Sequence, residues 1–316
     1  MKRHFIIILI VLISLLFGCG KESQIVEEDY NLDVEGGRIF GTLTLPKEGN
    51  SFKVVIIHQG SGPTDRDGNS HIGGSNNSLK MIAHELAENN IASIRFDKRG
   101  IAASMALIEK EEDLVFEDYI NDLTLWVEKA KSDSRFSKIY LLGHSEGALI
   151  ASVAATKSEI DGFISIAGAG YSAYDTLVRQ LSTQPKEITD IAIPIMDKLM
   201  AGELVNDVPQ MFASLFRQSV QPYLISWFKY DPVQVYGMID VPVLIIQGDN
   251  DIQITIEDAN RLAESINKQA EIIPGMNHVL KDAPTDYEEN LKTYQIPDLQ
   301  LHPQLMGTII NFINSN

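Results

Sequence analysis

Ser145 lies in Gly143-His144-Ser145-Glu146-Gly147, directly after the apolar run 138–142 (KIYLL) and directly before a stretch of small apolar residues. A serine hydroxyl at such a place is a candidate nucleophile, provided that a base takes its proton and donors receive the charge on the attacked oxygen. The spacing supports the first requirement of position. A chain that turns abruptly from strand to helix forces its corner residue into positive φ and brings the residues two positions away close together, where glycine fits best. The hydroxyl then projects above the sheet edge. From Glu146 to about Ala155 the residues are nearly all small and apolar, as a buried helix requires, and its N-terminus offers unpaired N–H groups to developing negative charge. A Gly-x-Ser-x-Gly pattern alone is common, so the strand before it and the helix after it carry its weight.

Elements able to hold this corner recur along the chain. Strand-like runs occur at 53–57 (KVVII), 91–96 (IASIRF), 138–142, 162–166 (GFISI), 242–246 (PVLII) and 270–273 (AEII). They are short, β-branched and apolar on both faces, which predicts a mostly parallel sheet covered on both sides. Helical stretches alternate with them, as at 116–131, where Phe116, Tyr119, Ile120, Leu123 and Val127 share one face. The expected fold class is therefore α/β, a mostly parallel central sheet flanked by helices. Ahead of it, Glu35-Gly36-Gly37 between two extended runs predicts a hairpin. Between Ile166 and Pro242 no buried strand is evident, a gap too long for a loop, so a helical cap is expected at about 170–238. Its large apolar residues, among them Met196, Leu199, Met200, Met211, Leu215, Phe216, Trp227 and Phe228, are expected mainly to form the cap's own core, with a few facing a pocket.

With these features in place, five motifs resemble those of bacterial α/β-hydrolase carboxylesterases, over the chain from Lys53 to the C-terminal helix. They are HQGSGPTDRDGN (58–69), RFDKRG (95–100), GHSEG (143–147), GDNDIQI (248–254) and GMNH (275–278). The resemblance implies an α/β-hydrolase fold and a catalytic order of nucleophile, acid and histidine, which Ser145, Asp251 and His278 follow, each after a strand. The chemistry asks for the same types: a histidine titrates near neutrality and can take the serine proton, and a carboxylate fixes its tautomer and steadies the imidazolium. Asp249 is the rival acid, and the family's G-x-x-D spacing favours Asp251. The oxyanion donors expected are the backbone N–H groups of Ser61, between Gly60 and Gly62, and of Glu146. Gln59 separates His58 from Gly60, whereas many relatives have histidine and glycine adjacent, which leaves the first donor open by one residue.

Other candidates read more plainly. His144 is expected to pack away from the nucleophile, His58 to order the oxyanion loop, and His302 to lie at the surface near Pro303. Asp65–Asn69 begins like a calcium loop but has Ser70 and Asn76 where the sixth-position glycine and twelfth-position glutamate belong, so a turn held by Arg66 and carboxylates is expected instead. Asp97, between cations, should form ion pairs. No metal and no cofactor are expected.

The first residues carry a different message. Lys2 and Arg3 precede an uncharged run from Phe5 to Phe17, and Leu16-Phe17-Gly18-Cys19 resembles the lipobox of bacterial lipoproteins. The reading is a signal at 1–18, a lipidated Cys19, a tether at 19–32 and a hydrolase domain at 33–316, with plain secretion as the alternative. Cys19 is the one cysteine of the chain, so no intramolecular disulfide can form. In all, 43 acidic against 26 basic residues give a net charge of −17, which disfavours nucleic acid and anionic leaving groups. The expected activity is cleavage of small esters with an apolar acyl part through an acyl-enzyme. Peptide, amide or thioester cleavage, and a binding-only lipoprotein, are the alternatives.

Overall fold

A computed structural model describes residues 25–316, so the export signal expected at 1–18 and Cys19 lie outside the described residues. The first half of the chain forms β1 (Ile25–Asp29), β2 (Leu32–Val34), β3 (Gly37–Ile39), β4 (Gly41–Pro46), β5 (Phe52–His58), α1 (Ser78–Glu88), β6 (Ile91–Phe96), α2 (Phe116–Ser132), β7 (Phe136–His144) and α3 (Glu146–Ala155). There follow β8 (Gly162–Ile166), the cap helices α4 (Ala173–Ser182), α5 (Lys186–Met200), α6 (Ala213–Phe216), α7 (Gln221–Trp227) and α8 (Pro232–Tyr236), and then β9 (Val243–Gly248), α9 (Ile256–Ser265), β10 (Glu271–Ile273), α10 (Tyr287–Thr293) and α11 (Leu305–Ser315). Eight strands make one sheet in the order β1-β4-β6-β5-β7-β8-β9-β10, parallel from β6 to β10 and antiparallel where β4 meets β1 and β6.

The apolar runs form the sheet because both of its faces are covered. One face packs against α2, α3 and α9, the other against α1 and α11. Every residue of the helical stripe expected at 116–131 is buried, and Trp126, fully buried, stacks on Phe96 with ring centroids 5.1 Å apart. Burying each such side chain contributes about 1.5–3 kcal/mol, enough for this one helix face to matter to the whole fold.

The hairpin turn at Glu35-Gly36 forms between β2 and β3, but these strands make a two-stranded sheet of their own. The tether expected at 19–32 is shorter than the sequence suggested, because Ile25–Asp29 is an edge strand paired with β4. Its attachment is ionic rather than apolar. Glu27 pairs with the buried guanidinium of Arg95 and accepts hydrogen bonds from Thr44 Oγ1 (3.2 Å) and His84 Nε2 (3.0 Å), so the strand carries no hydrophobic pattern to reveal it.

Residues 167–242 form the cap. Met196, Leu199, Phe216 and Phe228 bury one another there, Met200 and Met211 are exposed, and Leu215 and Trp227 line a cavity above Ser145.

Candidate active site

Ser145 joins β7 to α3 with φ 56° and ψ −123°, a strained corner held by its N–H bonding to Ile166 O at 2.9 Å. The flanking glycines are steric necessities. A Cβ on Gly143 would lie 2.2 Å from Gly147 O, and one on Gly147 would lie 2.5 Å from the carbonyls of both His58 and Gln59. The corner is thereby pressed against the loop after β5, and all ten residues of α3 are buried behind it.

His278 and Asp251 meet at the same sheet edge. His278 Nδ1 lies 2.8 Å from Asp251 Oδ2, and both side chains are almost fully buried. Asp251 also accepts from Gln247 Nε2 (3.1 Å) and from the backbone N–H groups of Gln253 (2.7 Å) and Ile254 (3.0 Å). Burial alone would raise this carboxyl, but the His278 ring and these donors outweigh it and hold the group below its ordinary value. An ionised Asp251 keeps the His278 proton on Nδ1 and leaves Nε2 as the basic nitrogen. Ser145 and His278 line one cavity, although no hydrogen bond joins them in this unliganded arrangement. Asp249 turns elsewhere, accepting from Gly275 N at 2.6 Å and closing the turn after β10.

A polar network fixes the two loops relative to each other. Asn277, next to His278, donates through Nδ2 to Asn290 Oδ1 (2.9 Å) and Thr293 Oγ1 (2.7 Å), and Asn290 Nδ2 donates to Asn250 O (2.8 Å) beside Asp251. Helix α10 thus ties the loop of the acid to the loop of the base. Sequence reasoning missed Gln247, whose side chain closes the loop of Asp251 from within, and Asn277 and Asn290, whose partners lie farther along the chain.

It also missed Lys98. This side chain is buried and donates to the carbonyls of Gly60 (2.7 Å) and Gly62 (3.1 Å), on either side of Ser61. A trans peptide sets the N–H of Ser61 opposite to the Gly60 carbonyl, so that N–H points away from Lys98. Glu146 opens α3, where an N–H has no intrahelical acceptor, and both residues line the cap cavity with Ser145. The Glu146 side chain is buried, with Tyr223 Oη donating to it at 2.7 Å and Lys98 Nζ at 3.9 Å. Burial lowers the Lys98 ammonium and raises the Glu146 carboxyl.

The remaining histidines depart in part from expectation. His144 does not simply pack away: its Nε2 donates to His278 O at 2.8 Å and its ring lies 4.9 Å from that of His278. Burial and the neighbouring His278 push it down to about 4, so it braces the His278 loop as a neutral ring. His302 is not at the surface but buried, accepting from Gln304 N at 3.3 Å ahead of α11. His58 is buried against the edges of Phe96 and Tyr119, its Nδ1 2.9 Å from Gln59 O at the root of the oxyanion loop. Arg66 pairs with Asp97 at 2.8 Å, and Asp65 accepts from the backbone of Asp67 and Asn69, the turn expected for this stretch.

Comparison with known proteins agrees with this architecture. A family model described as serine aminopeptidase, S33 (Hydrolase_4), matches residues 71–219, a span that includes Ser145 and ends before Asp251 and His278. Esterase EstD of Thermotoga maritima is 26% identical over 276 residues, which cover 82% of this chain and 63% of EstD. Among solved structures, Est1E of Butyrivibrio proteoclasticus with bound ferulic acid superposes with a TM-score of 0.59 at 18% identity, over 90% of this chain and 98% of that one. The acylaminoacyl peptidase of Pyrococcus horikoshii superposes with a TM-score of 0.54 at 15% identity, over 87% of this chain and 40% of that one. A strained serine corner on a mostly parallel, doubly covered sheet and these likenesses converge: the chain has the α/β-hydrolase fold and is similar to serine esterases of that fold.

Proposed function

We propose that the chain is a serine hydrolase that cleaves small carboxylic esters through an acyl-enzyme. His278 Nε2 takes the proton of Ser145 Oγ as the oxygen attacks the ester carbonyl. Asp251 holds the tautomer and stabilises the imidazolium. The N–H groups of Ser61 and Glu146 receive the oxyanion, and water entering beside His278 then releases the acid. The observation that carries this reading is the 2.8 Å contact of His278 with a carboxylate satisfied by three further donors, at the edge where Ser145 occupies a strained corner. The acyl part fits the cavity of about 380 Å³ under the cap, walled by Leu149, Leu177, Leu215, Leu224 and Trp227.

The S33 match favours a second reading, removal of an N-terminal residue from a peptide. That reaction calls for a carboxylate to receive the substrate's ammonium, and the acid nearest the nucleophile, Glu146, is already engaged by Tyr223 and Lys98. Ester cleavage is therefore preferred to removal of an N-terminal residue, with amide or thioester cleavage and a binding-only role as the remaining alternatives. A fluorophosphonate probe tests the chemistry: covalent labelling of the wild type that vanishes in Ser145→Ala is expected, and a folded wild type that resists labelling would rule out the enzyme. We further infer, from the lipobox-like residues before Cys19, an extracytoplasmic protein anchored by lipid at Cys19. Cys19→Ser should move it from the membrane to the soluble fraction, and unchanged fractionation would overturn that location.

A further inference from the structure

Ser145 stands where two cavities meet, and His278 lines only one of them. That asymmetry assigns a direction to the substrate, on the reading that Ser145 and His278 form an acyl-enzyme. Ser145 Oγ bonds to the acyl carbon, the bond from that carbon to the alcohol oxygen breaks, and the proton held on His278 Nε2 passes to the departing oxygen. The leaving group must then sit within reach of His278, in the cavity of about 280 Å³ bounded by the loops of residues 60–79, while the acyl part occupies the cap cavity.

The leaving-group cavity has a definite chemistry. No lysine, arginine, aspartate or glutamate lines it, and its wall includes Ser70, Asn76, Ser78, Gln253 and Tyr294. Asn76 is 4% exposed and clamped: Asn69 Oδ1 accepts its backbone N–H at 2.9 Å, and its Oδ1 accepts from Ser78 N (3.0 Å) and Ser78 Oγ (2.5 Å). Its Nδ2 has no acceptor among the described residues, and its residue lies at the cavity wall. An amide donor held rigidly at a cavity wall without a protein partner is free to bond a ligand oxygen. An anionic leaving group finds no cation here and meets a chain of net charge −17, and a cationic one finds no carboxylate.

We propose that this cavity is a subsite for an uncharged, hydroxyl-bearing leaving group, a polyol or a single sugar ring, with Asn76 Nδ2 donating to one of its hydroxyls. The test compares two esters of one acid, glycerol monobutyrate and butyl butyrate, with each rate normalised to its hydroxide hydrolysis. The wild type should favour the glycerol ester about tenfold or more in kcat/KM, because a site built to bond a hydroxyl penalises the analogue lacking it. Asn76→Asp keeps the oxygen that Ser78 needs but removes the donor, and should bring that ratio down about fivefold or more. Retained fluorophosphonate labelling shows that the variant is folded. Should Asn76→Asp fail to fold, the wild type gives a second readout: its butyryl-enzyme, offered glycerol and 1-propanol at equal concentration, should transfer mainly to glycerol. Turnover of both esters with equal normalised rates, or preferential transfer to propanol, overturns the subsite and leaves the hydrolase standing. Absence of both labelling and turnover overturns both.

Discussion

The two sides of Ser145 are held in opposite ways. On the sheet-edge side, Asp251, His278, Asn277 and Asn290 are buried and linked by hydrogen bonds of 2.7–3.1 Å that run from β9 to α10. On the cap side, apolar side chains bury one another in the interior, and polar links to the body, among them Tyr223 to Glu146, Phe116 N to Ser226 Oγ at 2.8 Å, and the ion pairs of Arg217 with Glu111 and Arg179 with Asp258, tie that interior down from outside it. Hydrogen bonds fix direction, whereas dispersion contacts fix volume and tolerate repacking. On the proposed function, the difference teaches that the bond-making centre is specified by geometry and the acyl-selecting centre by shape.

Substitutions on the sheet-edge side should therefore be the most damaging to turnover and the least damaging to acyl-chain preference. Asp251→Asn would let His278 adopt the wrong tautomer and is expected to lower kcat by about 10⁴-fold, with His278→Ala at least as severe. Hydrolysis of p-nitrophenyl butyrate, alongside a thermal melt to show retained folding, checks this. Activity within a few fold of wild type in a folded variant would put the base elsewhere and dissolve the contrast between the two sides.

Lys98 sits on the border between them, since it grips Gly60 and Gly62 and reaches toward Glu146. Lys98→Met preserves bulk while freeing the loop that carries the Ser61 N–H. Losing one oxyanion donor is expected to lower kcat about 10²-fold with KM little changed. A purely structural lysine would instead lower the melting temperature and spare kcat in the folded fraction.

Legibility in the sequence follows the same division of forces. The strands, the α2 stripe and the Ser145 corner could be read because burial imposes a period and close backbone approach imposes glycine. The helical character of 167–242 was visible, too, from the absence of strand runs. What stayed hidden was fastened by charge or by polar partners far along the chain. Edge strand β1 hangs on Glu27 and Arg95, and Lys98 and Asn277 show their purpose only when the loops converge. Cap composition announced a core but not which of its faces would look onto Ser145.

Acid sensitivity should also separate the two regions, because two buried neutral histidines, His58 and His144, sit behind the site and none is in the cap. Burial and Lys98 push His58 down to about 3, and burial and His278 push His144 down to about 4. In the unfolded chain each takes a proton near pH 6.5, while the folded rings stay neutral, so stability falls as pH drops from about 6.5 toward 4. Between pH 7.5 and 5 each histidine is expected to cost about 2 kcal/mol. Asp251 has the same sign in a lower window, its depressed value adding stability above about pH 4 that is lost as pH falls below it. Melting temperatures of the wild type and His58→Leu at pH 7.5 and pH 5 test the assignment, with a smaller loss expected in the variant. Equal losses would mean that His58 is protonated in the folded protein.

The smallest effect belongs to the one hydrogen bond that ties the cap to the residue after the nucleophile. Tyr223 Oη donates to Glu146 while its ring packs edge-on against Phe116 and Tyr119, so Tyr223→Phe removes the bond and keeps the ring contacts. Glu146 then depends on Lys98 alone, and its carboxyl, already raised by burial, should be raised further. A net loss of about 1 kcal/mol, roughly fivefold, is expected in kcat/KM. Because the bond positions α7 over the acyl cavity, the loss should be graded by acyl length and appear mainly in KM. A uniform fall in kcat across a series of p-nitrophenyl esters would instead assign Tyr223 to the oxyanion side, and the boundary between the rigid centre and the adaptable cap would have to be drawn one helix further out.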